Sequence, residues 1–198
     1  FDALCHAMGT ISLGGSSTHS QGLAFFNSPM IEAIMMVGMI VGGINFANHF
    51  YAVSNRSLKH YWRDSEVKLT LYVLLFTIIT GTLYLWLIDF YSFQDALRYV
   101  SFTTVSLGLA TGYSTVDFGT WPLVLSLWLI LLSNFLSNAG STGGGIKTVR
   151  AIVLFKFSLR EMTLLLHPNA VYRVKINGNP VPERMALTIL AFVFVYCS

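Results

Sequence analysis

No Asp, Glu, Lys or Arg occurs in residues 33–55, 69–88, 118–146 or 185–198. A helix needs about 20 predominantly apolar residues to cross a bilayer, and in lipid it must satisfy its own backbone polar groups. Residues 33–55 and 69–88 therefore each predict one spanning helix. The third stretch holds 29 residues, about 43 Å as a continuous α-helix, which is too long for a single crossing. It also contains Asn134, Asn138 and the run Gly140-Ser141-Thr142-Gly143-Gly144-Gly145, and so predicts a helix interrupted at membrane depth. The fourth stretch predicts the beginning of another span.

Composition agrees with this reading. Hydrophobic residues make up 54% of the chain and charged residues 11%, against about 25% charged in soluble domains. An aromatic share of 14% argues against disorder, and two cysteines argue against a disulfide scaffold. Cys5 and Cys197 leave the redox compartment open. The chain begins at Phe1 without Met and ends inside an apolar run. It reads as a piece of a longer protein, and no signal peptide is inferred from it.

Eleven of the twelve Lys/Arg residues fall in two regions. Arg56, Lys59, Arg63 and Lys68 form one; Lys147, Arg150, Lys156, Arg160, Arg173, Lys175 and Arg184 form the other. On the opposite side lie Asp2, Glu32, Asp89, Asp95, Asp117 and Arg98. The positive-inside bias makes the basic regions cytoplasmic. The net charge of +3 follows from that topology, and no nucleic-acid partner is needed to explain it. The sequon Asn55-Arg56-Ser57 then falls on the cytoplasmic side and reads as chance.

The chain also repeats itself. Asp2-Ala3-Leu4 recurs as Asp95-Ala96-Leu97, Gly15-Ser16-Ser17-Thr18 as Gly112-Tyr113-Ser114-Thr115, and Pro29 as Pro122, each proline opening an apolar run. The offset is 93 residues at both ends and 97 in the middle. The short segments from Asp2 to Leu13 and from Asp95 to Leu107 reach only about one third to one half of a span. Such a segment can enter a membrane and return only if its non-helical backbone is buried in protein or lines water. A short helix followed by a glycine-containing strand is how cation filters present backbone carbonyls to a dehydrated ion. The competing reading is an outer loop tucked against the bundle for packing, and the two matching copies favour the filter.

Several motifs carry a resemblance to a known family. They are Phe1-Asp2-Ala3-Leu4-Cys5-His6-Ala7-Met8, Leu13-Gly14-Gly15-Ser16-Ser17-Thr18-His19, Ala110-Thr111-Gly112-Tyr113-Ser114-Thr115-Val116-Asp117-Phe118, Gly140-Ser141-Thr142-Gly143-Gly144-Gly145-Ile146-Lys147 and His167-Pro168-Asn169-Ala170. With them the chain resembles the Trk/Ktr/HKT superfamily of potassium transporters, most closely its bacterial Trk membrane subunits (TrkH/TrkG-like). The resemblance implies an all-α membrane protein of repeated span–pore-loop–span units around a central ion pore. It places residues 1–60 as the pore loop and second span of repeat two, 61–166 as repeat three, and 167–198 as a cytoplasmic loop and the start of repeat four. The family's filter glycine matches Gly15 and Gly112. The resemblance thus implies that potassium, the ion bound, meets the backbone carbonyls of Leu13, Gly14, Ala110 and Thr111. Ser16 stands where the family usually has Phe.

The same resemblance makes Gly140, Ser141, Thr142, Gly143, Gly144 and Gly145 a loop that obstructs the ion path. Independently, a run of six small residues with four glycines cannot hold a stable helix, at about 1 kcal/mol per glycine relative to alanine. The alternative is a helix-packing motif of small residues, and three consecutive glycines exceed what packing requires. A phosphate-binding loop is excluded because Ile146 separates Gly145 from Lys147 and no buried strand precedes it. His6, His19, His49, His60 and His167 lack metal-ligand spacing. Lys147 and Arg150 either tune the gate or snorkel to the interface. Asp89 and Asp117 either concentrate cations or are simply solvated.

Function is therefore expected to be potassium uptake across a bacterial plasma (inner) membrane by a multi-pass, pore-forming subunit, not an enzyme. The resemblance further implies a homodimer and a cytoplasmic nucleotide-binding regulatory subunit (TrkA-like) near residues 160–183. Sodium or mixed monovalent cation transport by the same fold is the alternative. An intramembrane enzyme built on Asn134, Asn138, Ser141 and Thr142 lacks a titratable partner in its own span.

Overall fold

A computed structural model describes residues 1–167 and 174–197. Pro168, Asn169 and Ala170 of the fifth motif, Arg173 of the basic region and Ser198 lie outside the described residues.

The first repeat copy begins with α1, Asp2–Ile11, which has Asp2 in its first turn where the helix dipole favours a negative charge. After a 3-10 turn at Gly22–Phe25, α2 spans Pro29–Gly43 with its proline at the helix start. The expectation of one helix over 33–55 is not met. The chain leaves α2 through an extended Ile44, and Asn45 caps α3, Phe46–Ser54, by accepting from the Ala47 N–H at 2.9 Å. The two axes are bent by 94°. Packing explains the glycines at the corner: a Cβ on Gly42 would lie 2.6 Å from the Ile11 carbonyl oxygen, and one on Gly43 would lie 2.8 Å from the Leu109 side chain.

A short α4, Lys59–Arg63, leads to Asp64, which caps α5, Ser65–Leu87. Among the described residues α5 is the one continuous helix long and apolar enough to cross a membrane, and the bent pair α2–α3 passes only as a broken span. The exposed side of α5 carries Tyr72, Leu75, Phe76, Ile79 and Leu87. Ser92 caps α6, Phe93–Gly108, and a 3-10 turn at Phe118–Thr120 precedes α7, Leu123–Ser133. The third charge-free stretch is indeed interrupted: α7 stops after 11 residues, and helix resumes only at α8, Thr148–Leu166. A hairpin pairs β1, Lys175–Ile176, with β2, Asn179–Pro180, through Asn177 and Gly178 at φ 48° and 87°. Then follows α9, Glu183–Cys197.

Three apolar clusters hold these elements. Leu85, Val100, Trp121, Leu125 and Leu129 join α5, α6 and α7. Met39, Leu74, Phe102, Leu109, Tyr113 and Leu136 sit where both repeat copies meet. Val153, Phe157, Val174, Ala186 and Ile189 seat the hairpin and α9 on α8. The middle cluster positions the candidate site.

Candidate functional site

The helices α1 and α6 end in the same way. At the end of α1 the Leu13 N–H donates to the Thr10 carbonyl at 3.3 Å and the Gly14 N–H to the Gly9 carbonyl at 2.9 Å. At the end of α6 the Ala110 N–H donates to Leu107 at 2.9 Å and the Thr111 N–H to Ser106 at 2.8 Å. Each is a Schellman cap, whose pivot residue adopts the left-handed conformation usually given to glycine. Here the pivots are Leu13 at φ 53° and Ala110 at φ 58°, a strain of about 1–2 kcal/mol for a residue with a Cβ. Two residues later the glycines are left-handed as well, Gly15 at φ 63° and Gly112 at φ 91°. A strand that keeps one handedness alternates its carbonyls between two sides. Switching handedness at every second residue breaks that alternation.

The two strands are neighbours. A Cβ on Gly15 would land on the carbonyl of Thr111, so this glycine is required by both its φ and its surroundings. By contrast, nothing lies within 4 Å of a Cβ on Gly112, and its φ alone favours glycine. Among the described residues no backbone N–H donates to the carbonyls of Leu13, Gly14, Ala110 or Thr111; Gly14 meets only the Ser16 hydroxyl, at 3.5 Å. Both helices also direct their C-terminal, partially negative ends into these strands, which favours a cation there.

The break between α7 and α8 abuts both helix ends. The Thr142 hydroxyl donates to the carbonyl of Ile11, the last residue of α1, at 3.0 Å. A Cβ on Gly143 would lie 3.1 Å from the carbonyl oxygen of Leu109, which caps α6. The break is wider than the glycine run and is firmly held. Glu66, buried in the first turn of α5, accepts from the Ala139 N–H at 2.8 Å. The Ser137 hydroxyl donates to Gly144 at 2.8 Å, and the Ile146 N–H donates to Asn134 at 2.7 Å. Thr70 of α5 donates to the Asn138 side chain at 2.7 Å. The bend of α2 is stitched to the same loop, with the Asn138 N–H on the Gly43 carbonyl at 3.4 Å and the Phe46 N–H on the Gly140 carbonyl at 3.1 Å.

Polar groups also brace the far side of the strands. His6 donates from Nδ1 to the Asp2 carbonyl at 2.8 Å, and its Nε2 is hydrogen-bonded to the Ser17 hydroxyl at 2.9 Å. His19 donates to the Asp2 carboxylate at 3.0 Å. Hydrogen bonds from His19 and Thr18 hold that carboxyl below the usual carboxylate range. Arg98 of α6 grips Glu32 of α2 with two hydrogen bonds of 2.8 and 2.7 Å, and Asn27 with a third of 3.0 Å. The sequence reading missed Glu66, Asn45, the Arg98–Glu32 pair and the reach of Tyr113 to the other copy. Glu32 and Arg98 had a signal, each being a charge at the edge of an apolar run. Among the described residues no group of three His, Cys, Asp or Glu is arranged to hold a metal ion.

Comparison with known proteins gives one family. The family model for TrkH, described as a cation transport protein, matches residues 1–197. The Trk system potassium uptake protein TrkH of Salmonella typhimurium is 40% identical over 198 residues, covering 99% of this chain and 41% of that protein. The Trk system potassium uptake protein TrkG of Escherichia coli is 34% identical over 196 residues, with 99% and 40% covered. The crystal structure of the potassium transporter TrkH from Vibrio parahaemolyticus matches with a TM-score of 0.94 at 34% identity, covering 99% of this chain and 42% of that one. The chain thus spans about two fifths of the length of these relatives.

Proposed function

We propose, from the premise that this chain belongs to the TrkH family of cation transport proteins, that it supplies two of the filter strands and the gate loop of a potassium-uptake subunit. The protein containing it carries potassium across a bacterial inner membrane as a multi-pass homodimer governed by a cytoplasmic nucleotide-binding regulator. The observation that carries this reading is the run of backbone carbonyls on two adjacent strands that, among the described residues, no backbone N–H occupies. A dehydrated monovalent cation needs several such oxygens to replace its water. The left-handed pairs at Leu13/Gly15 and Ala110/Gly112 and the converging helix C-termini support it further. Thr142 and Gly143, hard against the last carbonyls of α1 and α6, support the loop as an obstruction on the same path.

The test uses the full-length protein containing this chain. A host lacking potassium uptake should grow at limiting potassium when it expresses the protein. In proteoliposomes, excess potassium should suppress rubidium uptake far more than excess sodium does. Equal suppression would replace this reading with sodium or mixed cation transport. Neither growth nor uptake, with folded protein present, would defeat it.

A further inference from the structure

The two repeat copies brace their strands differently. In the second copy the Ser106 hydroxyl of α6 donates to the carbonyl of Tyr113 at 2.7 Å, fixing the residue that follows the glycine. At the offset of 97 residues, Ser106 corresponds to Gly9 and Tyr113 to Ser16. Gly9 has no side chain, so at the position equivalent to Ser106 α1 offers the Ser16 carbonyl no hydroxyl, and the Thr10 hydroxyl donates instead to the His6 carbonyl. That carbonyl instead accepts from the Tyr113 hydroxyl, which crosses from the other copy and meets it at 3.1 Å. Gly9 makes the crossing possible, because a Cβ there would collide with the Tyr113 hydroxyl oxygen. The Tyr113 ring is 2% exposed and stacks on His6 at 6.1 Å, and Thr10 lies beside its hydroxyl. Its backbone is thus fixed to its own repeat and its hydroxyl to the neighbouring one.

We propose that Tyr113 is a positioning residue for ion selection: its hydroxyl replaces across the repeats the serine clamp that Gly9 cannot provide, and so holds the two filter strands at a fixed separation. This rests on the reading of those strands as a filter. A filter whose strands can drift together would grip a smaller ion as well as a larger one, so loss of the clamp weakens preference more than folding.

The experiment is done in the full-length protein, with flux normalised to folded protein. Potassium transport by the parent is established first, so failure there counts against the function and not against the clamp. Tyr113→Phe keeps the buried ring and removes one hydrogen bond, which should lower potassium-over-sodium preference roughly two- to tenfold. Gly9→Ser combined with Tyr113→Phe should regain most of that preference, because the introduced hydroxyl can clamp the Ser16 carbonyl as Ser106 clamps that of residue 113. Gly9→Ala with Tyr113→Phe fills the same space without a donor and should not. Unchanged preference in Tyr113→Phe overturns the proposal, as does equal recovery, or no recovery, in both double variants.

Discussion

Replacing Arg98 by methionine should destabilise the protein far more than its position near the outer edge suggests. The guanidinium reaches from α6 to Glu32 on α2 with two short hydrogen bonds, and the Glu32 side chain is only 4% exposed. Methionine retains most of the apolar stem but leaves a buried carboxylate without its partner. Orphaning a buried charge costs about 3–5 kcal/mol. The Arg98 side chain is 22% exposed, so water enters the vacated site and the cost falls near the lower end, about 3 kcal/mol. That is roughly a 150-fold change in the folding equilibrium. Glu32→Gln should cost less, about 1–2 kcal/mol, since the amide oxygen still accepts from the guanidinium and only the charge assistance is lost. The double variant should be more stable than Arg98→Met alone, because the orphaned charge is gone. Unfolding of the purified full-length protein in detergent, followed by tryptophan fluorescence, completes the double-mutant cycle. If Arg98→Met lies within about 0.5 kcal/mol of the parent, or if the double variant equals the sum of the singles, the pair is no strut between repeats.

Gly15→Ala and Gly112→Ala should differ sharply although the positions match in the repeat. The second incurs only left-handed strain of about 1–2 kcal/mol, while the first also drives a Cβ into the Thr111 carbonyl; potassium-limited growth should persist for Gly112→Ala and fail for Gly15→Ala, and equal growth would refute the geometry. Thr142→Val removes the hydroxyl that holds the loop to Ile11 and Gly42 and should raise rubidium flux per folded protein; lower flux at normal regulator binding would count against an obstructing loop. The depressed Asp2 carboxyl pKa means that its contribution to stability is complete above about pH 4, its unfolded value, and is lost as pH falls through the lower folded value. His19→Ala should move the Asp2 titration back up toward pH 4 in a carboxyl NMR titration, and an unmoved midpoint would remove His19 as the cause.

Much of the architecture was legible in charge alone. The interruption at 134–147 follows from a charge-free run too long for one helix, and the left-handed glycines Gly15 and Gly112 fall at the repeated Gly-Ser-Ser-Thr and Gly-Tyr-Ser-Thr turns. The bend at Gly43 was not read, because hydropathy cannot distinguish a straight span from a broken one; Gly42-Gly43 followed by the capping Asn45 was its local signal. The Schellman pivots were hidden because the usual marker is glycine and here they are Leu13 and Ala110. Glycine content also misled about the loop. It forbids helix, but it says nothing of Glu66, Thr70 and Ser137, which pin the loop from outside. Tyr113 was visible only as an aromatic after a glycine, since its partner lies 97 residues away.

The corner between α2 and α3 depends on the loop it touches. A straight helix would give the Gly42 and Gly43 carbonyls to the N–H groups of residues 46 and 47. In the bent form Gly42 accepts from Thr142 and Gly43 from Asn138, while Phe46 donates to Gly140 and Ala47 to the Asn45 side chain. Three of these four redirected groups therefore find their substitute partner on the loop. If the loop withdrew, those groups would have to be hydrated at once or find each other again. Since an unpaired buried group costs about 1–3 kcal/mol, such a withdrawal would be tied either to the arrival of water or to the straightening of α2 into α3. On the gate reading, opening would therefore wet the loop's surroundings or move a neighbouring helix with it.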